Sequence, residues 1–160
     1  MSEIFTVGIS DYKIALPPNN LITYALGSCV GICLYDRKTK ISGLAHIMLP
    51  WSKDMRNSSE NMNRYADTGI TALLGEMRRK GANPSALVAK IAGGAQMFTA
   101  NSAVFNIGGR NVEAVKQVLA TLHIPIIAEQ TGDNFGRTLL FYSETGTMEI
   151  RSATKETITA

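Results

Sequence analysis

Sulfur and imidazole are scarce in this chain, with two cysteines and two histidines in 160 residues. So few exclude a disulfide-stapled scaffold and a multi-zinc module, and leave any cysteine chemistry local. Charge is sparse as well, at 18% against about 25% in an average soluble domain. Sixteen basic residues against thirteen acidic ones give a net +3, too small and scattered an excess to demand an anionic partner. Long hydrophobic runs are missing too. The uncharged stretch Ile14 to Tyr35 is long enough to cross a bilayer, but Pro17, Pro18, Asn19, Asn20 and Gly27 spoil it as a membrane helix. The start, Met1-Ser2-Glu3-Ile4, lacks a basic segment followed by an apolar one, so the expectation is a cytoplasmic protein with free thiols and no membrane insertion. Hydrophobic residues reach 45%, which excludes disordered, collagen-like and low-complexity classes. One domain spanning residues 1–160 is expected at this length.

Short β-type runs dominate the first third: 5–9, 13–16, 21–26, 30–35 and 41–49, separated by turn chemistry at Pro17-Pro18-Asn19-Asn20 and Asp36 to Lys40. From Met62 the apolar positions Met62, Tyr65, Ala66, Ile70, Leu73, Leu74 and Met77 step by three and four, which predicts an amphipathic helix. Arg78-Arg79-Lys80 suits its carbonyl end, and Gly81 suits a left-handed cap. A second helix is predicted from Asn111 as N-cap to about Leu122, with His123 capping carbonyls at its end. Further strands are expected at 87–92, 104–107, 124–129, 137–142 and 147–151, the last two joined by a hairpin turn at Ser143 to Gly146. The tail 153–160 is polar enough to fray. About ten strands and two helices make a mixed α/β domain.

Cys29 lies in Gly27-Ser28-Cys29-Val30-Gly31. A free cysteine is by default a small buried hydrophobe, but glycines on both sides leave a carbonyl room to approach the sulfur. The pattern copies a hydrolase nucleophile elbow only superficially, since an elbow runs into a helix and Ile32-Cys33-Leu34-Tyr35 reads as strand. Cys33 falls on the same side of a regular strand as Cys29, yet roughly 13 Å along it, too far for a disulfide without rearrangement; core packing explains it better than a redox pair. His46 is the only titratable group in Gly43 to Pro50. An isolated histidine on an apolar face is more often a hydrogen-bonded core residue, but its ordinary pKa near 6.5 suits both base and acid work at neutral pH. Pairing Cys29 with His46 would lower the thiol pKa and supply a thiolate. Thr23, Asp36 and Asp54 are the nearby groups that could orient the imidazole. Neither the 29/33 nor the 46/123 spacing matches a zinc finger, so no metal is expected. No P-loop is present, the Gly93-Gly94 pair lacks the other glycines of a dinucleotide fingerprint, and Arg78-Arg79-Lys80 has no aromatic interleaving, so neither a cofactor nor nucleic acid is expected.

The four ordered blocks Leu26 to Gly31, Gly43 to Pro50, Gly93-Gly94-Ala95-Gln96-Met97-Phe98 and Ile107 to Asn111 together resemble the chemoreceptor glutamine deamidase family (CheD). With Gly136-Arg137 and a terminal strand they cover most of residues 5–152. The resemblance implies a three-layer α/β sandwich built on a mixed sheet and related to the catalytic domains of deamidating toxins. It implies hydrolysis of glutamine side chains on methyl-accepting chemotaxis receptors, with a CheC-type phosphatase as a further partner. The family's nucleophile falls on Cys29, its histidine on His46 and its threonine on Thr23. Gly27 and Ser28, with Gly94, are then expected to line the substrate and stabilise an oxyanion. The segments 51–63 and 93–98 are expected to border a groove that reads a receptor helix, with Arg56 and Arg64 as its charges. The late loop Gln130-Thr131-Gly132-Asp133-Asn134-Phe135 departs from the acidic residue and paired glycines usual there. The competing class is an adaptor that binds the phosphatase or a receptor without turnover.

Overall fold

The segments Val30–Asp36 and Ser42–Ile47 are buried at every position, which a strand can be only where both faces of its sheet are covered. In this computed structural model, which describes residues 2–54, 61–97 and 106–160, the covering comes from a second sheet on one face and two helices on the other. The chain runs β1 (Ile4–Thr6), β2 (Asp11–Ala15), β3 (Asn20–Leu26), β4 (Val30–Asp36), β5 (Ser42–Ile47), α1 (Ala66–Arg79) and β6 (Leu87–Gly93). It continues through α2 (Ile107–Thr121), β7 (Ile126–Thr131), β8 (Arg137–Tyr142), β9 (Thr147–Arg151) and β10 (Ile158–Thr159).

One five-stranded sheet has the order β2-β5-β4-β6-β7 and the other β1-β3-β8-β9-β10. Both are mixed, with β7 parallel to β6 and β1 parallel to β3. Because side chains alternate along a strand, Val30, Ile32 and Leu34 meet Ile70, Leu73, Met77, Val115 and Leu119 of the helices. On the opposite face Cys33, Leu44 and Ala92 pack with Leu21, Leu26, Leu139 and Phe141 of the other sheet. The layers are therefore sheet, sheet and helices, an α/β sandwich with two long helices.

Glycine at 81 closes α1 as the sequence predicts. With φ at +108°, its N–H reaches the Arg78 carbonyl at 3.1 Å while Ala82 N–H reaches Met77 at 2.9 Å, a left-handed cap that a Cβ would oppose. The helix starts four residues later than the apolar periodicity suggests, because Met62–Arg64 forms a separate 3₁₀ turn. Three further expectations need correction. The N-cap of α2 is Asn106, whose Oδ1 accepts from Gly109 N–H at 3.0 Å, so Asn111 lies inside the helix and Ile107 opens it instead of ending a strand; Val104 and Phe105 lie outside the described residues. His123 ends α2 through its backbone, at φ +59°, with its N–H bonded to Ala120 and that of Ile124 to Leu119. The tail does not fray: Ile158–Thr159 pairs antiparallel with β9, and Ala160 and Met148 exchange bonds of 2.8 and 2.7 Å. The outer edge of β9 offers unpaired backbone groups, and the tail satisfies them.

Candidate active site

The geometry around Cys29 begins with strand register. Gly31 on β4 stands opposite His46 on β5, and Cys29, two residues earlier, packs against the same inter-sheet cluster. Cys29 and His46 are thus diagonal cross-strand neighbours, a spacing of about 7–8 Å between backbones that side chains span readily. Glycine at 31 puts no side chain between them, and a Cβ there would press on Leu139 Cδ1 at 3.1 Å and Leu26 Cδ1 at 3.3 Å. Cys29 is half-buried, whereas Cys33, further into the strand, is sealed.

Thr23 reaches across from the other sheet. Its hydroxyl donates to the Val7 carbonyl at 2.7 Å and lies 2.7 Å from His46 Nδ1. A hydroxyl has one proton, and Val7 takes it, so the Thr23 oxygen accepts from Nδ1–H. That assignment leaves the lone pair on Nε2, which is buried with no hydrogen-bond partner among the described residues. Of the other candidate orienting groups, Asp36 is committed elsewhere. Burial alone would raise its carboxyl, but the N–H groups of Asn83, Thr39 and Lys38 outweigh that and hold it below the usual carboxylate range. The side chain of Asp54 lies outside the described residues.

Burial works against the lowered thiol pKa expected from pairing Cys29 with His46. Burial raises the Cys29 pKa and lowers that of His46 to about 4, because a desolvated site disfavours either charge. Both shifts favour the uncharged forms of the thiol and the imidazole. We expect Thr23→Val to lower kcat by about tenfold and stability by about 1–3 kcal/mol, since it leaves the Val7 carbonyl and Nδ1–H unpaired in the core. Steady-state kinetics and thermal melts check both, with Thr23→Ser restoring them.

The loop that carries Cys29 is fastened on several sides. A register shift in the β3–β8 pairing lies between Thr23 and Leu26, with Ala25 at φ +59°, the kind of irregularity that re-aims a chain beside a site. Gly27 N–H then bonds Ala25 at 3.0 Å, Ala95 N–H bonds the Gly27 carbonyl at 2.8 Å, and Gly94 N–H bonds the Cys29 carbonyl at 2.8 Å. Gly93, at φ +111°, permits this approach, for a Cβ there would stand 2.2 Å from the Cys29 oxygen. Of the residues expected to serve an oxyanion, Gly27 and Gly94 have their N–H groups bonded to the Ala25 and Cys29 carbonyls, and both residues shape the loop. The N–H groups of Ser28 and Cys29 have no acceptor among the described residues.

Two residues join the site that sequence reasoning did not single out. Arg137 is buried, its Nη1 donating to the Gly132 carbonyl at 3.0 Å and to Gly93 at 3.4 Å, with its guanidinium 4.3 Å from the Phe135 ring. The departed loop thus supplies one carbonyl, that of Gly132, and an aromatic face to Arg137, and Asp133 accepts from Gln96 N–H through its backbone. Asn111 is fully buried and donates to the Ser28 and Met48 carbonyls. Its signal was present: spaced three, four and seven from Gly108, Val115 and Val118, it is a polar residue on the buried face of a helix. Of the expected groove borders, Met97 lies against Gly27, where a Cβ would meet its Cγ at 3.2 Å. Arg64 stands 6.0 Å from the Tyr65 ring, while Arg56 and Phe98 lie outside the described residues. Among the described residues no helix is long and apolar enough to cross a membrane.

Two stacked mixed sheets backed by helices, with a half-buried thiol and a buried imidazole on neighbouring strands, define an α/β sandwich protein. Sequence comparison narrows this. Residues 48–152 match the family described as CheD chemotactic sensory transduction. A relative from Caldanaerobacter subterraneus subsp. tengcongensis, named probable chemoreceptor glutamine deamidase CheD, is 52% identical over 153 residues, 94% of each chain. One from Halalkalibacterium halodurans, named chemoreceptor glutamine deamidase CheD, is 46% identical over 154 residues, 95% of each chain. The chain belongs to the CheD family. Among solved structures, the Bacillus licheniformis hypothetical protein YfiH is similar over 72% of this chain and 47% of its own, with a TM-score of 0.44 and 18% identity, a likeness on which nothing here rests.

Proposed function

We propose that the protein is a cytoplasmic glutamine deamidase acting on methyl-accepting chemotaxis receptors, with Cys29 as nucleophile, His46 as general base and acid, and Thr23 as the group that orients the imidazole. The observation behind this reading is the pairing of a half-buried thiol with an imidazole whose Nδ1 is held by Thr23 and whose Nε2 has no partner among the described residues. Because burial favours the neutral form of both groups, the proton moves during attack instead of before it. Nε2 takes the Sγ proton as Sγ bonds to the carboxamide carbon, and the oxyanion is received by backbone N–H groups of Ser28 and Cys29. The imidazolium returns its proton to the departing nitrogen, so ammonia leaves and a thioester remains. Water, deprotonated by the same Nε2, cleaves that thioester to a carboxylate and restores the thiol.

Membership of the family, and the names its relatives bear, support receptors as substrate. The resemblance in the sequence extends the proposal to a CheC-type phosphatase as binding partner. The test is incubation of the protein with receptor cytoplasmic fragments, followed by peptide mapping for a gain of about 1 Da per hydrolysed side chain, the signature of amide converted to acid. Conversion at a few discrete glutamines is expected. Fragments that come through unaltered would leave only the adaptor reading standing.

A further inference from the structure

The proposed mechanism places an oxyanion next to the Ser28–Cys29 peptide, and one buried side chain decides how that peptide is turned. Asn111 sits in the second turn of α2 with no solvent exposure. Its Nδ2 donates to the Ser28 carbonyl at 2.9 Å and to the Met48 carbonyl at 3.0 Å. Both neighbours are acceptors only, so chemistry fixes which end of the amide faces them. Both donor positions of the side chain are spent on the backbone, one on the residue before Cys29 and the other two residues after His46. One amide therefore ties together the two segments that carry the thiol and the imidazole.

A peptide unit is planar and trans, so its C=O and the following N–H point in opposite directions. Holding the Ser28 oxygen toward α2 sends the Cys29 N–H the other way, off the helical face of the sheet. That N–H has no acceptor among the described residues, whereas those of Gly27 and Gly94 are spent on Ala25 and Cys29 carbonyls. We infer that Asn111 is a positioning residue for the oxyanion site, turning the Ser28–Cys29 peptide so that the Cys29 N–H is presented to the carbonyl under attack. Asn111 acts through the backbone and touches no reacting atom. Among the described residues the Oδ1 of the same side chain is buried without a partner, an arrangement costly enough that simple packing would favour an apolar residue there.

This inference rests on the deamidase reading, and the two are tested apart. Asn111→Asp and Asn111→Ala are assayed in the full chain on receptor cytoplasmic fragments, beside iodoacetamide labelling of the native protein across pH. Labelling needs the thiol and its imidazole but forms no oxyanion, and with Cys33 sealed in the core it reports on Cys29. We expect kcat to fall by about a hundredfold with KM within about threefold of the parent, as for loss of a donor that acts in the transition state. The labelling rate and its pH profile should superpose on those of the parent. An unchanged kcat, or a labelling profile displaced along with it, overturns the inference. If neither variant folds, Asn111→Ser, whose hydroxyl donates to one carbonyl, is read by the same two measurements. Should Cys29→Ala still turn over, the deamidase mechanism fails first. An inactive Cys29→Ala beside fully active Asn111 variants rejects the positioning role alone.

Discussion

Cys29→Ala is expected to abolish deamidation of receptor fragments, with a loss of at least about 10⁴-fold, because the covalent intermediate has no other sulfur within reach. Cys33 cannot substitute. It lies four residues along the strand, is fully buried between the sheets, and burial pushes its thiol far above the ordinary range despite the opposing influence of Lys90. Cys33→Ala should therefore keep full turnover and lose only stability, as expected for a small cavity in a packed core. Cys29→Ser is a sharper variant than alanine, since it preserves shape and a proton for His46 to take but offers a much poorer nucleophile at neutral pH. It should be almost as inactive. The measurement is the initial rate of glutamate formation by mass spectrometry, with native thiol labelling to confirm that a single cysteine reacts. Turnover surviving in Cys29→Ala, or a disulfide between Cys29 and Cys33 appearing on mild oxidation, would remove the nucleophile from the mechanism. The fold speaks against the second outcome, because side chains four apart on a strand stand roughly 13 Å from each other.

Much of this arrangement was legible in the residues themselves. Alternation and turn chemistry located the strands around Cys29 and His46 because each run is bounded by glycine, proline or charged turns. The helix before Gly81 was legible because its apolar stripe, its basic last turn and its cap residue agree. What escaped is information that exists only across the fold. Asn111 has the composition of an N-cap, and local chemistry prefers it there; its true place follows from two carbonyls 83 and 63 positions away in sequence. Asn106, which does cap the helix, lies six residues before Val112, where the repeating apolar stripe begins, so periodicity placed the boundary late. The polar tail gave no sign that the edge of β9 would recruit it. Most consequential is the charge state of the thiol and imidazole. Their pairing suggests a lowered thiol pKa, but burial is a property of the assembled sheets, and it pushes the other way. The same burial suits a neutral acceptor such as Thr23 beside His46, because a carboxylate in that core would bring an unpaired charge of its own.

Neutral His46 also has a measurable consequence for pH. In the folded protein, desolvation holds its pKa down to about 4, against 6.5 when the chain is exposed. Between those values the unfolded chain binds the extra proton, so the contribution of this group to stability is whole above about pH 6.5 and is lost as pH falls toward 4. At 1.36 kcal/mol per unit the loss amounts to about 3 kcal/mol. Urea denaturation at pH 7 and pH 4.5 should show that slope in the parent and a shallower one in His46→Gln, whose amide does not titrate. The acid limb of kcat/KM should likewise fall near pH 4, because the base is lost only when the folded imidazole protonates. Removing the imidazole should lower kcat at neutral pH by about 10³-fold or more. The deficit should shrink as pH rises past the elevated pKa of Cys29, where the thiolate forms without a base to receive its proton. An acid limb near 6.5 would mean that the ring is solvated in the working enzyme, and a deficit constant with pH would mean that His46 does something other than take the proton from Cys29.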